Sequence, residues 1–200
     1  MKTISLNGHL VIEIALTDAE IERSRQLGIE RTHLDEDVLG WKYRHHGKRS
    51  EDAHAIGDMG ETAVEKWLTA NAIRFTPAPK LVHRHEDIKQ DITVGHLKVG
   101  VKTMEVVTTD DIFQYPTFLY PAKLHPGEKL RVLDYPNFLI QVAVAPAKSC
   151  AWLIGYVVRN QIMESEIRTI VGKPAHTIPH AAYKDCDSLL QILREQGGNV

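Results

Sequence analysis

Cysteine is nearly absent: Cys150 and Cys186 are the only two among 200 residues, and neither belongs to a CxxC pair. That excludes a disulfide framework and gives no support to a structural zinc site. Positive charge is not in excess either. The formal net charge of −2 rules out a uniformly basic nucleic-acid binder, so any such binding must use a local patch. No uninterrupted apolar run approaches the roughly 18 residues that a membrane span needs. Asn7, His9 and Glu13 break up the apolar N-terminus as a signal-like segment. A cytoplasmic chain without a membrane partner is the expectation. Internal repeats and low-complexity tracts are missing. So are a Gly-rich phosphate loop, a GxSxG elbow and GxGxxG, which leaves nucleotide-fuelled and serine-hydrolase chemistry without support.

What remains is an ordinary globular composition, 43% apolar and 25% charged, long enough to bury a sizeable core. Residues 3–15 read as two strands around Asn7-Gly8, a preferred tight-hairpin dipeptide. Thr17 with Glu20 offers a capping box for a helix to about residue 27. The stretch 41–49 is basic, aromatic and aperiodic, so it reads as an arm or linker. In it Lys42, Arg44, Lys48 and Arg49 interleave with Trp41 and Tyr43, a composition suited equally to gripping a phosphate backbone and to a solvated linker. Ser50, followed by Glu51 and Asp52, is expected to cap a helix running to about Asn71. Its apolar stripe is Ile56, Met59, Ala63, Val64, Trp67 and Leu68. Glu61 falls at the edge of that stripe, whereas Glu65 falls nearer the polar face and is expected to meet water.

Residues 87–94 and 97–105 alternate with period two around Gly95-His96, predicting a second hairpin. Its faces separate Ile92, Val94, Leu97, Val99 and Val101 from Asp91, Thr93, Lys98, Gly100 and Lys102. Asp91 then lies opposite Gly100, with Lys102 two residues further along the same face. Two apolar strands are expected over 137–145 and 151–158, with short helices near 160–166 and 186–195. The Pro-rich connection 115–136, which carries Lys123, Lys129 and Arg131, is a candidate substrate-facing loop. Cys150 reads as a small buried residue at the head of a strand.

A carboxylate and a lysine on one strand-pair face is a grouping that phosphodiester hydrolysis uses. Carboxylates hold a divalent cation, and a lysine orients water or neutralises charge on the phosphate. The ordered set Gly60-Glu61, then Asp91-Ile92-Thr93-Val94-Gly95, then Val101-Lys102-Thr103 resembles the PD-(D/E)xK nuclease superfamily. In that family an early helix supplies an acid, the second strand an aspartate, and the third (D/E)-x-K. The resemblance covers about residues 51–105 closely and 137–158 loosely.

It implies an α/β fold in which helices flank a mixed central β-sheet, a restriction-endonuclease-like core over 50–200. The residues 1–49 would form a small N-terminal hairpin-helix appendage and basic arm. It also implies Glu61 and Asp91 as ligands of Mg²⁺ or Mn²⁺, with Lys102 as the orienting base or stabiliser. DNA would be the substrate, and Lys42, Arg44, Lys48 and Arg49 would contact it. Similarity in size to four-way-junction (Holliday-junction) resolvases and small phage-type nucleases implies a branched substrate and a homodimer with two sites matched to two strands.

The pattern departs at Gly100, where the signature acid should stand. Asp87 shares the face of Asp91 but lies about 13 Å away along a strand. It could become the signature aspartate through a wider turn. Glu105 has the wrong parity unless the strand twists or bulges at its end. Alternatively Gly100 replaces an acid in an inactivated variant, or the module is a catalytically silent one that binds DNA or protein without cutting. A zinc hydrolase on His83, His85 and Asp87 is a further reading, though Ile88 stands where that pattern expects histidine.

Overall fold

The computed structural model describes residues 1–39, 44–45, 48–81, 91–114, 117–122, 135–170 and 173–196; residues 35–39, 44–45, 48–49, 173 and 196 are described in backbone only. β1 (Lys2–Leu6) and β2 (His9–Ala15) form an antiparallel hairpin. Asn7 and Gly8 both take positive φ, 49° and 80°, as a tight turn with the twist of its strands requires. Thr17 and Glu20 make the expected capping box, with Glu20 N–H donating to Thr17 Oγ1 at 3.2 Å and Thr17 N–H to Glu20 Oε2 at 2.7 Å.

The helix so started, α1 (Asp18–Leu39), runs well past the expected end near residue 27. Gly28 does not stop it, because this is where α1 crosses α2 (Ser50–Ala70). A Cβ at Gly28 would lie 2.4 Å from the Glu51 carbonyl oxygen, so only glycine allows the helices to approach this closely. The arm between them contains a two-residue hairpin, β3 (Arg44–His45) with β4 (Lys48–Arg49).

A seven-stranded mixed sheet forms the centre. Its remaining members are β5 (Thr76–Pro77), β6 (Ile92–Val94), β7 (Leu97–Glu105), β9 (Phe138–Ala145) and β10 (Cys150–Val158), in the order β1-β2-β10-β9-β7-β6-β5. All pairs are antiparallel except β7 with β9. The N-terminal hairpin is therefore no appendage: β2 pairs with β10 and extends the sheet. Helices flank that sheet as expected.

One sheet face, with Ile12, Ile14, Val99, Ile140, Val142 and Leu153, receives the apolar stripe of α2 and Leu189 and Leu193 of α4 (Cys186–Gln196). The other, with Leu139, Ala143, Trp152 and Ile154, is covered by a different set of elements. These are a 3₁₀ turn at Thr109–Phe113, β8 (Thr117–Pro121), α3 (Arg159–Glu164) and β12 (Lys173–Pro179). β8 and β12 belong to a second, three-stranded sheet with β11 (Glu166–Ile170), which sequence periodicity did not predict. β11 is mostly exposed and β12 is bracketed by Pro174 and Pro179, so neither shows clean alternation. β9 is buried on both faces, which accounts for its continuous apolar run.

α2 meets β7 most closely at Gly60. A Cβ there would lie 2.0 Å from Thr103 Oγ1 and 2.8 Å from its Cγ2. Gly60→Ala must therefore push α2 away from β7, and a loss of about 1–3 kcal/mol is expected for such overpacking. Urea unfolding measures this directly; an unchanged midpoint would mean the helix is not held against Thr103.

Candidate active site

The β6–β7 hairpin pairs Ile92 with Val99, which sets Asp91 opposite Gly100 as the sequence pattern expects. Asp91 is anchored by its backbone on both sides: its N–H donates to Val99 O at 3.1 Å, and its carbonyl accepts from Ala78 N–H at 2.8 Å. Its carboxylate extends the ladder by one further bond, Oδ2 accepting the Val101 N–H at 2.5 Å. One carboxylate oxygen thus replaces a strand partner. Lys102, half-buried, follows two residues beyond Gly100 on the same face.

Glu61 arrives from α2 for the reason given by Gly60. With no side chain at 60, the helix backbone rests on Thr103, beside Lys102, and the next residue carries its carboxylate to the sheet at 9% exposure. Burial, helped by the charge of Asp91, pushes the Glu61 carboxyl up to about 7 against the pull of Lys80. Asp91 is also raised, by burial outweighing the Val101 bond and the charges of Lys80, Arg31 and Lys102. Burial lowers Lys102, with Asp91 opposing. Of the three residues singled out in the sequence, Asp91 acts on both Glu61 and Lys102, whereas Lys102 alternates onto the sheet face opposite the one that receives α2.

Other groups were not anticipated. Lys80 donates a hydrogen bond to Glu61 Oε2 and makes ion pairs with Asp58 Oδ1 at 3.1 Å and Glu65 Oε1 at 3.4 Å. Its ammonium is held charged by burial among carboxylates, their attraction outweighing desolvation. Glu65, expected to meet water, instead faces this lysine with 21% of its side chain exposed. Asp58 is fixed from the other side by Ser24 of α1, whose Oγ donates to Oδ2 at 2.7 Å. Arg31 of α1 adds a positive charge that acts on both Glu61 and Asp91. The i, i+3, i+7 spacing of Asp58, Glu61 and Glu65 is a legible signal of one helix face. Lys80 has none, because it precedes no periodic element.

Gln141 of β9 is the register partner of Lys102 and lies on the same face. It is 2% exposed, and its side-chain oxygen has no hydrogen-bond partner among the described residues. A single polar residue inside the run Phe138–Ala145 was the available clue.

The space for a side chain at position 100 is tight. A Cβ on Gly100 would lie 3.0 Å from Pro136 Cγ and 3.4 Å from Leu139 Cδ1. Gly100 is thus packed as a glycine, with proline and leucine over it. Of the substitute acids, Glu105 is exposed at the far end of β7, and Asp87 lies outside the described residues. Lys42, His83, His85, Lys123, Lys129 and Arg131 also lie outside them, and Arg44, Lys48 and Arg49 are described in backbone only. Cys150 is half-buried with its thiol pushed up to about 11, chiefly by burial, which does not suit a nucleophile.

Among the described residues no group of three or more His, Cys, Asp or Glu could hold a metal ion. Mg²⁺ asks for less: one or two carboxylates, with water completing its octahedron. Glu61 and Asp91 fit that demand. Both are hard oxygen donors, and Asp91 hinders the ionisation of Glu61 although Lys80 and Arg31 oppose it.

Because Glu61 is raised from an ordinary 4.5 to about 7, the fold holds a proton that the unfolded chain has already released. Its contribution is fully present below the unfolded value and is lost as pH rises through the folded one. Without divalent cations, stability should fall between about pH 5 and 8, and Glu61→Gln should flatten that slope. Urea unfolding across the range reads it; a slope unchanged by Glu61→Gln would place the titration elsewhere.

Comparison with known proteins finds no similar family model, curated protein or solved structure.

Proposed function

We propose that the chain is a metal-dependent deoxyribonuclease with a restriction-endonuclease-like core. The observation that carries this reading is the place of Asp91, fixed at the head of β6 by the Val101 N–H and within electrostatic reach of Glu61 of α2 and Lys102 of β7. The topology supports it as well: a helix, an antiparallel β6–β7 hairpin, then β9 parallel to β7, which is the order the family resemblance implies.

A bound Mg²⁺ or Mn²⁺ would polarise the phosphate and lower the pKa of an attacking water. Glu61 and Asp91 would hold it, Asp91 through the oxygen not engaged by Val101. The bond from Val101 N–H fixes the Asp91 carboxylate in advance of binding. Lys102, with its ammonium disfavoured by burial, can hold or release a proton at Nζ beside Asp91. The basic arm of Lys42, Arg44, Lys48 and Arg49 supplies phosphate contacts, and a branched DNA cut by a homodimer completes the proposal. The cytoplasm is its expected compartment.

One observation favours a second reading, a nuclease-like module that binds DNA or a protein partner without cutting. Pro136 and Leu139 crowd the place where the signature acid would stand, so glycine suits the packing at position 100.

Cleavage of linear, single-stranded and branched DNA in Mg²⁺ or Mn²⁺ separates the two. Lys102→Ala and Asp91→Asn should each reduce cutting by about a hundredfold or more. Gly100→Glu should gain no activity and should lose stability, because Pro136 must move. Absence of cutting by the wild-type protein, with DNA binding retained, would favour the silent module. Activity gained only by Gly100→Glu would show instead that the site was disarmed at that position.

A further inference from the structure

Lys80 reaches the site from the segment that follows β5, at a bend belonging to neither helix nor strand. Its ammonium stands among oxygens of Asp58, Glu61 and Glu65, whose side chains are 3%, 12% and 21% exposed. One tethered positive charge is thus set against three carboxylates, and Asp91 lies close enough to act electrically on Glu61. Arg31 contributes at longer range.

Glu61 is the point of conflict. Its Oε2 accepts from Lys80, and the same carboxylate would be needed by a divalent cation shared with Asp91. A monovalent ammonium is a weaker counter-charge than a divalent ion for the same oxygens. The lysine is also the more easily moved of the partners. It hangs on a flexible four-carbon stem and keeps 19% of its side chain in solvent, whereas Asp58 and Glu61 are fixed on α2, with Asp58 tied to Ser24.

We propose that Lys80 is a displaceable internal counter-ion of the cation site, holding Glu61 in the absence of a divalent ion and leaving it when one binds. This makes Lys80 a positioning residue, acting through Glu61 and Asp91, and it rests on the reading of those two as cation ligands. A fixed structural ion pair would instead keep Lys80 in place whatever the metal does.

The test measures metal binding rather than cutting. Mn²⁺ affinity of the full-length chain is read by electron paramagnetic resonance for the wild type, Lys80→Met, Lys80→Arg and Asp91→Asn. Lys80→Met should bind Mn²⁺ about tenfold or more tighter than the wild type, Lys80→Arg should stay near it, and Asp91→Asn should bind far more weakly. Should Lys80→Met fail to fold, the wild-type protein still decides the matter. With carbon-13-labelled lysine, the Lys80 side-chain signal, assigned by its loss in Lys80→Arg, should shift in step with saturation by Mg²⁺.

A metal that binds and is lost in Asp91→Asn, with no gain in Lys80→Met or no movement of the Lys80 signal, would overturn the proposal and leave the nuclease reading standing. If the wild-type protein and Lys80→Met both bind no Mn²⁺, the cation site and the counter-ion role fall together.

Discussion

The desolvation of carboxylates on α2 is the constraint around which the rest is arranged. That helix presents an apolar stripe to the sheet, and Asp58, Glu61 and Glu65 run along its border. Docking the stripe takes those acids out of water whether or not they are neutralised. Ionised groups are not left in that state without partners. The surroundings supply counter-charges and donors from several directions: Lys80 from the segment after β5, Arg31 and Ser24 from α1. Even so, the acids outnumber the cations near Glu61, and a proton is retained there up to about pH 7. A residual demand for positive charge is therefore built into the packing of the core helix.

The approach of α2 to β7 is what turns that demand into a site. Two backbones come together at Gly60 and Thr103, one residue from Glu61 on one side and one from Lys102 on the other. Asp91 is brought to the same place by a backbone requirement of a different kind, the need of the Val101 amide for an acceptor where the β6 pairing stops. α2 and the β6–β7 hairpin, distant from each other in sequence, are thus joined by sterics and hydrogen bonding, neither of which depends on any ligand.

Much of this was readable in advance because it is periodic. The β6–β7 register follows from the alternation around Gly95-His96, and the facing of Asp91, Gly100 and Lys102 follows from the register. The stripe of α2 and the edge position of Glu61 follow from helical spacing. The three-stranded sheet escaped because its strands lie at the surface or between prolines, where alternation is weak. The full length of α1 escaped because a glycine in mid-helix reads as a stop, and only the crossing with α2 explains Gly28. Lys80 escaped for a plainer reason: it meets its neighbours through long-range contacts and nothing local marks it, whereas Gln141 was marked only as the one polar residue of an apolar run. Glu65 was misjudged because a helical wheel knows the sheet side of a helix but not a lysine arriving from elsewhere.

The contact between Gly100 and Pro136 ties two positions into one unit. A side chain can stand on β7 at that point only if the ring of Pro136 gives by a few tenths of an ångström. Because the two positions touch, substitutions at them are expected to be coupled rather than additive. The residue at 136 therefore sets how much side chain β7 can carry at 100.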